Sequence, residues 1–331
     1  MIPFCGAPNG EAIAHDIKKF HPSVFLVGTD SNDWANNRWL YDRFVVVPEV
    51  SDSKYISIVQ ATAKSCKWIF PLNSMDAAKL QKSKVLNGSR DGVNKVLASS
   101  PDVILEASNK AALYDRFGIP YKVATGQSML LRLNQMGVDK RGLVVKPLGG
   151  RGTRGVFIIK KIDDFIARNE FKPGFLYVSY PRFLNMFTAS KWFNDSSKKW
   201  VVMPYYTGNE YFVNCLCKDG EVLWSQVLHV KDKRDHVCTM ASVVRHPSNL
   251  AMAKHICKEY GFNYWVNIQF IDDHLIEVNP RISSFVASND YSVPYLAVRL
   301  AEGEVVNEKR FPPPPIGSTL QRVFQSYYLG I

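Results

Sequence analysis

One stretch constrains the fold of this chain more than any other: Ile268-Gln-Phe-Ile-Asp-Asp-His-Leu-Ile-Glu-Val-Asn-Pro-Arg281. Side chains on a strand alternate between faces, so Glu277 and Asn279 share one face while Ile276 and Val278 share the other. A tight turn at Asp272-Asp273-His274, symmetric about Asp273, folds this strand onto the preceding one and sets Gln269 opposite Glu277, within about 5 Å at Cβ. The flanking Val266, Ile268 and Phe270 make the pair an interior hairpin rather than a solvated one. Magnesium takes oxygen ligands, commonly one or two carboxylates plus substrate phosphates. Glu277 and Asn279 suit that chemistry, with Gln269 in support. Arg281 is expected to extend the same face and clamp a phosphoryl group.

A second stretch, Val144-Val-Lys-Pro-Leu-Gly-Gly-Arg-Gly-Thr-Arg-Gly-Val156, reads as a basic, glycine-rich hairpin. Val144 and Val145 are strand-like and Lys146 follows. Gly149, Gly150, Gly152 and Gly155 permit conformations in which successive amides approach phosphate oxygens. No Lys-Ser or Lys-Thr closes the loop and no helical pattern follows it, so it is not the nucleotide loop of that type.

Short apolar strands are expected at Met1 to Cys5, Val24 to Gly28, Phe44 to Val47 and Trp68 to Pro71, with a helix around Ala12 to Phe20. Strands alternating with helices imply a doubly wound parallel sheet, which binds ligands at its carboxyl edge. Gly6 to Gly10 reads as a structural or substrate-facing turn, since Gly-x-Gly-x-x-Gly is missing. A lid region follows to about Tyr205, then a larger antiparallel sheet from Thr207 to about Gly303. Asp195 to Lys198 reads as a hairpin tip between two aromatic strands. Pro312 to Pro315 is a stiff spacer, and Arg322 to Leu329 is expected to pack back on the body.

The two hairpins and their surroundings resemble the ATP-grasp ligases, in the branch that includes the large subunit of carbamoyl phosphate synthetase and related carboxylate–amine ligases. The resemblance runs from Cys5 to about Leu329. It implies an α/β (α+β) ATP-grasp fold: a doubly wound domain over 1–108, an ATP-grasp domain over 109–311 (lid about 120–205, sheet about 206–311) and a tail over 312–331. In its terms Lys110, in Ser-Asn-Lys-Ala-Ala-Leu-Tyr, and Lys146 bind ATP phosphates with Gly149, Gly150, Gly152 and Thr153. Met203 to Glu210 supplies the nucleotide hinge, with Pro204 and Tyr206 near the base and Glu210 toward the ribose. Gln269, Glu277 and Asn279 hold Mg2+ or Mn2+, and Arg281 and Lys146 act in catalysis. Ser283 and Ser284 match a serine-bearing substrate loop. Pro204 and Asn214 depart from the pattern, where many members carry acidic residues. The implied reaction joins a small-molecule carboxylate to an amine through an acyl phosphate, releasing ADP and phosphate. A carbamoyl phosphate synthetase-like kinase or carboxylating enzyme and a non-catalytic nucleotide-binding protein are the alternatives. A homodimer is compatible with the resemblance.

The 331 residues allow about two domains, and 46% hydrophobic content suits a packed fold. The first residues lack the pattern of a secretory signal, and no run of about 18 apolar residues spans a membrane. The six cysteines show no Cys-x-x-Cys pair. A cytoplasmic protein with reduced thiols is expected. The net charge of +11 is scattered, without a nucleic-acid motif, and suits anionic small substrates better than nucleic acid. His229 to His236 is expected as a loop after a strand over Glu221 to Leu228, where the resemblance implies a substrate loop; Lys231 and Arg234 are candidates to bind a carboxylate or hold the acyl phosphate, a solvated basic loop being the alternative. No His-Glu-x-x-His or Gly-x-Ser-x-Gly motif occurs.

Overall fold

Strand β1 (Ile2–Pro3) runs into helix α1 (Pro8–Phe20), which opens on a proline whose missing amide would be unpaired there in any case. Glu11 in its first turn and Lys18 and Lys19 in its last complement the helix dipole. β1 pairs in parallel with β2 (Val27–Asp30), and β2 with β3 (Arg43–Val46), giving the expected parallel sheet. The fourth strand shrinks to a bridge: Ile69 pairs with Val96, and Phe70 donates its amide to the Met1 carbonyl at 2.8 Å. Pro71 has no amide to continue the ladder. Helix α2 (Tyr55–Ala63) precedes this bridge, and helices α3 (Ser74–Lys82) and α4 (Pro101–Ser108) follow it. The computed structural model describes residues 1–35, 37–83, 96–138, 142–148, 156–160, 176–189, 195, 197–234, 237–283 and 286–322.

The turn between β1 and α1 is held by packing. A Cβ on Gly10 would lie 1.9 Å from the carbonyl oxygen of Cys5, so only glycine fits. Asn37 Nδ2 donates to that same carbonyl at 2.5 Å, and the Tyr41 hydroxyl donates to the Gly10 carbonyl at 3.1 Å.

Two units divide the described residues: Met1–Ser108 with Glu210–Asp232 and Val237–Ile331, and Asn109–Asn209 with Lys233–His236. The second unit carries helix α5 (Lys110–Arg116), strand β4 (Lys122–Ala124), helix α6 (Met129–Gln135), strands β5 (Leu143–Pro147), β6 (Phe157–Lys160) and β7 (Leu176–Ser179), helix α7 (Tyr180–Thr188) and strand β8 (Trp200–Pro204). Its five-stranded sheet has the order β4-β8-β5-β6-β7. One face, with Leu143, Val145, Phe157, Ile159, Trp200 and Val202, packs on Met129, Leu133, Phe183 and Phe187 of α6 and α7.

In the first unit β9 (Glu210–Lys218), β10 (Glu221–Arg234), β11 (Val237–Val243), helix α8 (Pro247–Tyr260), β12 (Tyr264–Ile271), β13 (His274–Asn279), helix α9 (Leu296–Ala301) and β14 (Thr319–Gln321) follow. The six strands form an antiparallel sheet in the order β13-β12-β9-β10-β11-β14. β14 pairs with β11 as an edge strand, while residues 323–329, expected to pack back on the body, lie outside the described residues. Leu216, Trp224 and Trp265 of this sheet share one core with Ile2 of β1, Ile13 of α1, Leu26 just before β2, Phe70 and Leu296 of α9. The two indoles meet edge to face at 5.6 Å, a contact that fixes the sheet against that core. All six cysteines are buried and free. No helix among the described residues is long and apolar enough to cross a membrane.

Candidate active site

The β12–β13 hairpin pairs Gln269 with Glu277 and Asn267 with Asn279. The route to that register differs from a symmetric three-residue turn. Ile271 pairs with His274 and Phe270 with Leu275, so the turn is the two residues Asp272 and Asp273, and the register shifts between Gln269 and Phe270. Ile276 is the extra residue of a β-bulge, a device common beside active sites because it re-aims side chains. Asp272 adopts φ 45°, a left-handed value that Asp tolerates. Asn249 Nδ2 donates to the Asp272 carbonyl at 2.9 Å, and the Ser248 hydroxyl to the Asp273 carboxylate at 2.5 Å, tying the turn to the start of α8.

Directly opposed residues of antiparallel strands share a face. Glu277 and Asn279 therefore face the same way as Gln269 and Asn267. Each of Gln269, Glu277 and Asn279 is half-buried. Across the next ladder Asn267 pairs with Asn214, and Asn214 with Gln226 on β10, so four amide side chains form a row across β13, β12, β9 and β10. Gln269 Nε2 donates to Asn267 Oδ1 at 3.1 Å, and Asn267 Nδ2 donates to Asn214 Oδ1 at 2.8 Å. Gln226, 2% exposed, ends the row with neither amide atom hydrogen-bonded among the described residues. The set of one carboxylate and two amide oxygens at Glu277, Asn279 and Gln269 fits a hard divalent cation that prefers oxygen ligands.

β13 ends at Asn279, and the chain bends at Pro280 and Arg281. The Arg281 amide donates to the Asn279 carbonyl at 2.7 Å, and its guanidinium donates to the Ile282 carbonyl at 3.0 Å. Arg281 is thus positioned by this bend, where strand alternation had been expected to carry it. Ser283 is buried two residues on; Ser284 lies outside the described residues.

The second unit presents its own charged surface. Register places Lys146, Val144, Ile158 and Lys160 on the sheet face opposite the helices α6 and α7. Lys146 is 8% exposed, with its ammonium 5.4 Å from the ring centre of Tyr114 on α5. Lys160 is 7% exposed, its ammonium 5.2 Å from the Tyr205 ring. Aromatic faces attract cations, and each of these lysines sits against such a ring. Lys110 begins α5, where the Asn109 side chain caps the amides of Ala111 and Ala112. Pro204 ends β8, and Tyr206 follows in the connection to β9, which Glu210 opens in the first unit. Gly149, Gly150, Gly152 and Thr153 lie outside the described residues, as does the strand expected before Asp195.

The basic segment after Leu228 is not a loop. β10 continues unbroken through Arg234, because His229 and Lys231 keep the alternation of the strand. Gln226, Leu228 and Val230 face the amide row, so Lys231 faces away from it, its ammonium 2.9 Å from His229 Nδ1. Burial and the neighbouring Lys231 charge hold the His229 imidazole below its ordinary pKa. The Arg234 side chain is outside the described set. Lys160, Asn267 and Gln226 were not singled out by sequence; a polar residue within or ending a mostly apolar strand is the signal they share.

Residues 196–323 match the family model described as ATP-grasp in the biosynthetic pathway with Ter operon. No curated protein matches the chain by sequence. Solved structures similar to it include N5-carboxyaminoimidazole synthetase from Staphylococcus aureus complexed with ADP, at 13% identity over 92% of this chain and 76% of that one, TM-score 0.62. L-amino acid ligase from Bacillus licheniformis is 13% identical over 91% of this chain and 70% of that one, TM-score 0.56. Phosphoribosylglycinamide synthetase from Anaerococcus prevotii is 13% identical over 96% and 78%, TM-score 0.57.

Proposed function

We propose that this chain, an ATP-grasp protein by fold, is an ATP-dependent carboxylate–amine ligase that works through an acyl phosphate. The observation that carries the reading is the interior hairpin, in this fold, with Glu277 opposite Gln269 and Asn279 opposite Asn267 on one face. Gln269, Glu277 and Asn279 would hold Mg2+ or Mn2+, which when bound neutralises charge on the triphosphate. Lys110 and Lys146 contribute fixed positive charge toward the phosphates, and the aromatic wall behind Lys146 limits its freedom. Tyr206 and Pro204 would contact the base, and Glu210 the ribose hydroxyls.

In the first step a substrate carboxylate oxygen attacks the γ-phosphorus of ATP; the bond to ADP breaks and an acyl phosphate forms. In the second, an amine attacks the acyl carbon, the carbon–oxygen bond to phosphate breaks, and the nitrogen loses a proton. Catalysis of such transfers is mostly positioning and charge neutralisation. Arg281 would meet the charge on the moving phosphoryl group, and Ser283 the acid. Likeness to the biotin carboxylase domain of the Hydrogenobacter thermophilus 2-oxoglutarate carboxylase, solved with MgADP, ADP and bicarbonate, supports a second reading, in which the acid is bicarbonate.

Product analysis across acid and amine pairs, bicarbonate included, tests this. ADP and phosphate are expected, with hydroxylamine trapping the intermediate as a hydroxamate for organic acids. AMP and pyrophosphate would overturn the acyl phosphate route. Absence of nucleotide turnover across the panel would favour a binding protein.

A further inference from the structure

We infer that Asn267 and Asn214 form a directional hydrogen-bond relay that fixes which end of the Gln269 amide meets the metal. The inference rests on the reading that Gln269, Glu277 and Asn279 hold a divalent cation, and it assigns positioning roles to two residues outside that set. An amide side chain offers an oxygen acceptor at one end and a nitrogen donor at the other. Left to itself, Gln269 could present either end to the cation, and only the oxygen binds.

The relay removes that choice. Gln269 spends a nitrogen proton on Asn267 Oδ1 at 3.1 Å, which leaves its oxygen directed away from Asn267. Glu277 is the residue opposite Gln269 on that face. Asn267 cannot turn over to offer its own nitrogen to Gln269, because Nδ2 is committed to Asn214 Oδ1 at 2.8 Å. Both relay residues are sealed from water, at 2% and 1% exposure, so solvent cannot substitute for either bond. Polarity runs one way, from Gln269 through Asn267 to Asn214. The requirement at position 214 is an acceptor, which Asp also meets. Partners behind metal ligands orient them in this way, and their loss weakens metal binding by about 10–100-fold.

The test is Mn2+ binding to the full chain with ADP, read by electron paramagnetic resonance. Asn267→Leu removes both bonds at nearly constant volume and should weaken Mn2+ about tenfold. Asn267→Asp still accepts from Gln269 but gives up the bond to Asn214, so it should bind Mn2+ more tightly than Asn267→Leu. Asn214→Asp should match the parent, whereas Asn214→Leu should weaken Mn2+ by a smaller factor. Should Asn267→Leu fail to fold, the Asn214 pair carries the test. Parent-like Mn2+ affinity in the leucine variants, with Glu277→Gln defective, overturns the relay alone. Parent-like affinity in Glu277→Gln overturns the metal assignment beneath it.

Discussion

The two faces of the six-stranded sheet are made by the same strands and are equally dry near their centre, yet only one of them sets a row of amides beside its apolar residues Leu216, Trp224 and Trp265. On one face stand Val213, Cys215, Val266, Ile268 and Val278, none more than 2% exposed. Helix α8 covers β9 there, and the hydrogen bond to Cys257, followed by burial, holds the Cys215 thiol well above its usual pKa and therefore protonated. On the other face Asn214, Asn267 and Gln226 are as deeply buried but carry amides. A buried amide without a partner costs about 1–3 kcal/mol, so a fold selected for stability alone would fill both faces with aliphatic side chains. The asymmetry separates a face built for cohesion from one built for a task.

The sharpest break of this comparison is Glu277→Gln. On the amide face it should cut turnover by at least about 100-fold while leaving the melting temperature almost unchanged. A fully active Glu277→Gln enzyme would falsify the functional reading of that face.

Ile268→Ala, one residue from Gln269 but pointing the other way, should do the reverse. It should lower stability by about 2–5 kcal/mol in denaturant titrations, with turnover per folded molecule preserved. If activity falls before stability does, the division between faces is wrong.

Asp16 adds a half-buried carboxyl whose partner is structural. Burial raises its pKa to about 6, although the hydrogen bond from the Ser292 hydroxyl and the charge of Lys19 pull it down. The folded state then holds this proton more tightly than the unfolded chain. The associated stability is full below about pH 4 and is lost as pH rises through 6, by up to about 3 kcal/mol. Asp16→Asn keeps an acceptor for Ser292 and should flatten the melting temperature across that window; an unchanged slope would assign it to another group.

Smallest of all, Gln226→Leu should leave stability within about 1 kcal/mol of the parent or raise it, since neither amide atom has a hydrogen-bond partner among the described residues. A clear loss in thermal melts would mean that the Gln226 amide is satisfied in solution.

Much of this was readable from residues. Apolar runs between turns gave the parallel sheet, and alternation gave the Gln269–Glu277 pair, although by a turn one residue too long. The bulge at Ile276 escaped because an apolar residue there reads as an ordinary strand position. Charge misled at Lys231: a run of Lys, Asp and Arg has the composition of a loop, while its alternation is that of the strand it continues. Trp68 to Pro71 overstated a strand because apolarity does not count ladder partners. The relay was illegible for a different reason. Asn214 and Asn267 lie 53 positions apart, and only a register across two strands brings them together.

The bulge has a consequence at the level of inheritance. In most strands the loss of one codon inverts every side chain beyond it, a change far harsher than substitution. Here Phe270 already pairs with Leu275 and Gln269 with Glu277, so Ile276 is surplus to the ladder. Deleting it would close the gap and leave Glu277 opposite Gln269. The tip of this hairpin can therefore vary in length over descent by one residue without moving the carboxylate.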